Sequence, residues 1–250
     1  MPENIPPSPM YFACVLKSGG TGSAWNTDGK VFYDEKYVKV LARALKDAGC
    51  SQYPLVCLTD IPDAVAPYAY PVRLQHDWPG WWAKCEIFRH GLLPSPFIYL
   101  DLDVMILGPV AEYVSLAIGA GDVFALLDSP RGSRRSNWFS SSQMIVPPTC
   151  GNEVYWELIR CGPQKCFYRQ KREGKGPGQK GDQGWMRRFL NPQFLQDFLP
   201  DGYLVWKNTY LKLGENALKN CAVFNWTGAP RLSEHKHPFY RTYWSNYIDV

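Results

Sequence analysis

Residues 96–107, PFIYLDLDVMIL, constrain the fold of this chain more than any other stretch, because two aspartates interrupt an otherwise apolar run. The β-branched and aromatic content predicts a central strand broken by charges. Burying an ionised carboxylate in such a strand costs several kcal/mol unless something positive compensates it. Two residues apart on a strand, Asp101 and Asp103 point to one face, and at its carboxyl end they can converge on one hard cation. That edge is where open α/β sheets bind ligands. The plainer reading is a pair of surface acids bonded to arginines.

The rest of the pattern supports an alternating sheet. MYFACVL (10–16), PLVCLT (54–59) and residues 70–74 read as strands, and Asp34 caps a helix through Asp47 whose stripe is Val38, Leu41, Ala42 and Leu45, with Gly49 as its stop. Helices follow at 81–90, up to Ile118, and at 152–160; strands follow at 122–127, 140–146 and 222–226. Residues 161–184 are polar, basic and rich in Gly and Pro, which predicts a mobile loop, after which Asp182 caps a helix reaching Leu190. The aromatic tail, with Phe239, Tyr240, Tyr243, Trp244 and Tyr247, predicts order to the end. With no repeat or linker, the chain reads as one α/β domain over 1–250, a mixed, mostly parallel sheet with helices on both faces.

Composition narrows the function. At 250 residues, 46% hydrophobic and 20% charged, this is an ordinary globular chain, and a net charge of +4 is too small for a general nucleic-acid binder. There is no apolar run of 18 residues and no basic, then apolar, leader, which predicts a cytoplasmic protein without a transmembrane segment. Eight dispersed cysteines form no CxxC pair, so they read as reduced, mostly buried thiols. The glycine-rich turn after the first strand fails the phosphate-loop pattern, and Lys17 and Ser18 are assigned to nucleotide contact at that strand's end. Core packing explains most tryptophans, and Trp78, Trp81 and Trp82, clustered at the start of the 81–90 helix, together with Trp138 and Trp226 are the ones of which one or two could instead form an aromatic platform for a ligand.

Asp60 in LVCLTD, the stretch GWWAKCEIF (80–88), and Tyr99-Leu100-Asp101-Leu102-Asp103 together resemble the core of GT-A glycosyltransferases of the glycogenin and bacterial galactosyltransferase group. Gly181-Asp182-Gln183 is similar to that group's Asp-Gln pair, and Asn225-Trp226-Thr227-Gly228-Ala229-Pro230-Arg231 to its His-Phe-x-Gly-x-x-Lys-Pro segment. The likeness runs over roughly residues 10 to 235 and implies a single GT-A, Rossmann-like domain. Its nucleotide-binding half would span about 10–108 and its acceptor half about 109–250.

The resemblance implies roles. Asp101 and Asp103 would hold Mn²⁺ or Mg²⁺ against the diphosphate of a nucleotide-sugar, a uridine diphosphate sugar. Asn225 replaces the family's histidine as third ligand, with His235 and His237 as alternatives. Arg231 would grip phosphate, and Gly228, Leu102 and Asp60 would line the nucleotide. Lys84 would lie at the donor sugar, with Asp182 and Gln183 on the sugar and Gln183 near the anomeric carbon. The family's Asn-Ala-Gly segment is matched loosely by 139–144, FSSSQM. The expected function is metal-dependent transfer of a hexose to an acceptor hydroxyl with retention. The acceptor stays open among a glycan, a lipid-linked sugar and a modified nucleic-acid base, as does the oligomeric state. The alternatives are a sugar-phosphate nucleotidyltransferase and a non-enzymatic sugar- or nucleic-acid-binding module. The basic residues of 160–188 suggest a lid, and Arg131, Arg134 and Arg135 a second basic patch.

Overall fold

The structure is a computed structural model in which residues 5–18, 33–127, 139–172, 181–226 and 238–248 are described. In chain order the elements are β1 (Tyr11–Leu16), α1 (Glu35–Asp47), β2 (Leu55–Thr59), α2 (Pro62–Val65), β3 (Tyr70–Arg73), a 3₁₀ helix (Gly80–Phe88), β4 (Phe97–Leu100), β5 (Val104–Ile106), α3 (Ala111–Ile118), β6 (Phe124–Leu127) and β7 (Phe139–Val146). They continue with α4 (Asn152–Cys161), α5 (Pro163–Arg172), α6 (Gly181–Met186), β8 (Gln193–Phe194), β9 (Leu204–Trp206), α7 (Lys207–Leu213), β10 (Val223–Asn225) and α8 (Pro238–Ile248).

Seven strands form the main sheet in the order β3-β2-β1-β4-β7-β6-β8, and β5, β10 and β9 form a second, smaller one. β1 runs parallel to β2 and β4, and β2 to β3, while β7 is antiparallel to both β4 and β6. Alternation along β1 sends Phe12, Cys14 and Leu16 into one core and Tyr11 and Ala13 into another on the opposite face. The first core is closed by α1, α8 and the small sheet, the second by the 3₁₀ helix, α4 and α6. The α1 boundaries follow their sequence signals: Asp34 accepts a hydrogen bond from Lys36 N at 3.1 Å, and Gly49 follows the helix at φ 80°. All eight cysteines are free.

The structure corrects the sequence reading in three places. Residues 96–107 are not one strand. Asp101 N makes the last rung to Ser142 O at 2.8 Å, then Asp101 O accepts Val104 N at 3.1 Å, closing a turn that delivers the chain as β5 into the small sheet. The two aspartates therefore sit on a corner between sheets, where a carboxylate can reach a partner that a continuous buried strand would deny it. Residues 161–184 are not one loop, because 163–172 form α5, which turns the i, i+4 pair Cys166 and Gln170 inward. Such a two-residue stripe is too short to stand out against basic and Gly/Pro-rich surroundings. Asp182 lies inside the first turn of α6 rather than at its cap, and that helix ends at Met186.

Gly151 ties the second core together. It precedes α4 at φ 77°, and a Cβ there would lie 2.4 Å from Phe88 Cδ1. Gly151→Ala is expected to lower stability by about 2–4 kcal/mol, combining positive-φ strain with overpacking, as read by urea unfolding. A loss below about 0.5 kcal/mol, the range of neutral surface changes, would show that Phe88 yields freely.

Candidate active site

The carboxyl ends of β1, β2 and β4 carry the residues that the sequence singled out. After β1, Lys17 and Ser18 turn onto Asp60, which follows β2. The Asp60 carboxylate accepts Lys17 Nζ at 2.7 Å, Ser18 N at 2.8 Å and Ser18 Oγ at 2.8 Å. Lys17 also pairs with Asp77 at 2.9 Å, a residue to which the sequence reading gave no role. Burial by itself would raise Asp60, but Lys17 and the two Ser18 donors outweigh it and hold the carboxyl below its ordinary value. Lys17 is conversely raised: its two carboxylates overcome the burial that would lower it.

The centre of the site is Lys84. Its buried ammonium reaches Asp101 Oδ1 at 2.8 Å and Asp182 Oδ2 at 3.3 Å, with Ser141 Oγ at 3.3 Å. Three distant segments thereby meet: the 3₁₀ helix, the corner after β4, and α6. Burial pushes Lys84 down, yet the two carboxylates more than reverse it, so the lysine stays protonated well above its usual range. Asp182 is raised because its burial, with a smaller push from the charge of Asp101, outweighs the lowering by Lys84. Tyr99 donates its hydroxyl to Asp101 Oδ1 at 2.6 Å. The α6 helix is held by polar contacts: Gln183 Oε1 accepts Ser141 N at 3.2 Å, Arg187 Nε donates to Phe139 O at 3.0 Å, and the Gln170 amide bonds Gly181 N and O at 2.9 and 3.2 Å.

Asp103, 5% exposed, accepts the Tyr33 hydroxyl at 3.0 Å. The antiparallel register of β5 and β10 sets Asn225 opposite Val104, next in sequence to Asp103. Asn225 is 1% exposed, and neither atom of its amide has a hydrogen-bond partner. An unsatisfied buried amide costs about 1–3 kcal/mol, which a ligand bonded to its oxygen would offset. Two carboxylates and an uncommitted amide oxygen are hard oxygen donors and suit Mg²⁺ or Mn²⁺. Among the described residues no group of three or more His, Cys, Asp or Glu could hold a metal, so a third donor has to be an amide such as Asn225 or lie elsewhere.

The structure thus brings Lys84, Asp101, Asp182 and Gln183 together, pairs Asn225 with Val104, the residue after Asp103, and groups Lys17, Ser18 and Asp60 at the ends of the neighbouring strands β1 and β2. The side chain of Leu102 is packed in the core at 6% exposure, so it is not that side chain which lines a nucleotide. Gly228, Arg231, His235, His237, Trp138, Arg131, Arg134 and Arg135 lie outside the described residues. The sequence reading missed Ser141 as an individual, Tyr33, Tyr99 and Asp77. It also missed Lys207, whose ammonium is lowered by burial against an opposing contribution from Asp103. Ser141 had a signal in the FSSSQM match, and Tyr99 lies two residues from Asp101 in the YLDLD stretch; the others are contacts across long sequence separations.

No protein-family model matches the sequence, and no curated protein does. Solved structures do match. The galactosyltransferase LgtC, solved with donor and acceptor sugar analogs, is 10% identical at a TM-score of 0.62, over 96% of this chain and 97% of that one. The glycosyltransferase GlyE of Streptococcus pneumoniae TIGR4 is 13% identical at 0.53, and the bifunctional WbbM 12% at 0.54, each over 96% of this chain. This chain spans 62% of GlyE and 49% of WbbM. At these identities the likeness is one of fold, and the fold is GT-A.

Because one ammonium serves two carboxylates, its removal has a signed pH dependence. In Lys84→Met the folded Asp182 rises further above its unfolded value of 3.8. The variant is therefore least penalised below that value, and its deficit grows as pH rises through the window above 3.8. At pH about 7 the cost is about 2–4 kcal/mol, discounted because Asp101 is partly exposed. Urea unfolding in EDTA at acid and neutral pH measures it, and a deficit independent of pH would contradict the assigned ion triad.

Proposed function

We propose that this chain is a metal-dependent glycosyltransferase that moves a hexose from a nucleotide-sugar, with uridine diphosphate as the nucleotide, to an acceptor hydroxyl with retention of configuration. The observations that carry the reading are the buried Asn225 amide without a hydrogen-bond partner, on the residue paired with Val104 next in sequence to Asp103, and the lysine that joins Asp101 to Asp182. The GT-A fold that the chain shares with LgtC, GlyE and WbbM supports it.

In this reading Asp101, Asp103 and Asn225 hold Mn²⁺ or Mg²⁺, with His235 or His237 as the other candidates for third ligand. A divalent ion there supplies Lewis-acid stabilisation of the charge growing on the diphosphate. Lys84 and Asp182 bind the hydroxyls of the donor sugar, and Gln183 lies near its anomeric carbon. Lys17, Ser18, Asp60 and the backbone of Leu102 border the nucleotide, and Gly228 and Arg231 close over its phosphates. The bond between the anomeric carbon and the diphosphate oxygen breaks with its electron pair leaving on that oxygen. The acceptor oxygen then bonds the same carbon on the face just vacated, and its proton passes to the departing phosphate oxygen, so no separate enzymic base is needed. Lys84, held positive by its two carboxylates, keeps one fixed positive charge among acids that bind a polyanionic donor.

Calorimetric titration of uridine diphosphate is expected to show binding that depends on Mn²⁺, and Asp103→Ala to lower both that binding and turnover at least about 100-fold. Binding indifferent to the metal, or turnover kept by Asp103→Ala, contradicts the reading. The anomeric configuration of the product tests retention separately, and an inverted product refutes it.

A further inference from the structure

We propose that the indole of Trp81 is the platform on which the acceptor stacks, and that the acceptor is a saccharide presenting a pyranose ring; this rests on the glycosyltransferase reading above. Trp78, Trp82, Trp185 and Trp226 are buried, whereas Trp81 is 40% exposed. Trp156 is exposed as well, on α4, and exposed aromatics are ordinary on a protein surface; its neighbours set Trp81 apart. Residues three apart in a 3₁₀ helix eclipse, so Trp81 stands directly above Lys84, with Ile87 below it in the core. The column runs from an open indole, through the ammonium that holds Asp101 and Asp182, to a buried anchor.

The opposite wall agrees. Gly181, immediately before Asp182, has φ 80°, and a Cβ there would meet Trp81 Cε3 at 3.0 Å. The indole therefore lies against bare backbone, and the Gln170 amide fixes that backbone from behind with two hydrogen bonds. Trp81 thus forms a rim against Gly181, next in sequence to Asp182 and three residues from Lys84, the groups assigned to the donor sugar. A molecule approaching the anomeric carbon over this rim meets a flat, electron-rich face, which suits the apolar C–H face of a pyranose. Beside Pro79, two residues before Trp81, opens a cavity of about 440 Å³ lined also by Asp77, Trp78, Gln164 and Lys165. That volume has room for a further sugar unit. Its Asp77 carboxylate, paired with Lys17 at 2.9 Å yet 94% exposed, and its Gln164 amide offer hydrogen-bonding groups to sugar hydroxyls.

The test follows transfer from radiolabelled uridine diphosphate glucose and galactose, with Mn²⁺, to methyl hexopyranosides, to lactose and maltose, and to an oligonucleotide carrying 5-hydroxymethylcytosine. The wild-type protein is expected to glycosylate at least one saccharide. Trp81→Ala is expected to raise the KM for that saccharide about tenfold, about 1.4 kcal/mol, with the donor KM shifted far less, and Trp81→Phe to recover most of the loss. An unchanged saccharide KM in Trp81→Ala, failure of Trp81→Phe to recover what Trp81→Ala loses, or transfer to the oligonucleotide or to water alone, overturns the proposal while leaving a glycosyltransferase. Absence of any donor turnover in the wild-type protein is a different result and removes the parent reading with it.

Discussion

One ammonium group, that of Lys84, holds together the parts of this molecule that matter most for chemistry. It lies where the corner after β4, the 3₁₀ helix and α6 approach one another, and its partners Asp101 and Asp182 are 81 positions apart in sequence. Apolar packing draws these segments close, but it fixes no register between two acids and a base. The ion triad does, because a buried charge left without its partner costs more than most single packing defects. The surrounding contacts, from Tyr99 to Asp101, from Gln183 to Ser141 N and from Gln170 to Gly181, act on the same three segments.

The second determinant is the break in the apolar run at Asp101. Had β4 continued through Asp103, the two carboxylates would have faced the core or a neighbouring strand. By leaving the main sheet, the chain sets up a small sheet whose β10 pairs Asn225 with Val104, the residue after Asp103. The cost of the unsatisfied amide is borne by the packing around it, since Phe224 and Trp226 on either side are fully buried. A ligand that takes up the amide oxygen would recover that cost, and so the same local arrangement that weakens the fold favours binding. The edge near β1 and β2 is different in kind. There Lys17 and Ser18 are committed to Asp60, and the carboxylate of Asp77 is the exposed member of the group.

Much of this was legible from local pattern. The strands at 11–16 and 55–59, the Asp34 cap and the acids at 101 and 103 are signals carried by neighbouring residues, and sequence reports such signals well. Lys84, Asp182 and Gln183 became visible only through a family resemblance, since a helical lysine and an Asp-Gln pair have no local mark of a shared site. The helix at 163–172 was hidden by its basic, Gly-rich neighbourhood, and Trp81 was one of several tryptophans with no sign of which stays open.

The sequence by itself determined that the chain forms an α/β sheet with an acidic pair at a strand's carboxyl end, because alternation and the expense of burying carboxylates are properties of short segments. Tertiary structure alone decided that the pair sits on a corner between two sheets, that Lys84 bridges Asp101 to Asp182, that the Asn225 amide is buried without a hydrogen-bond partner, and that Trp81 stays half-exposed against Gly181 while Trp78 and Trp82 are buried. These depend on the mutual placement of segments up to more than a hundred residues apart, which no local periodicity encodes.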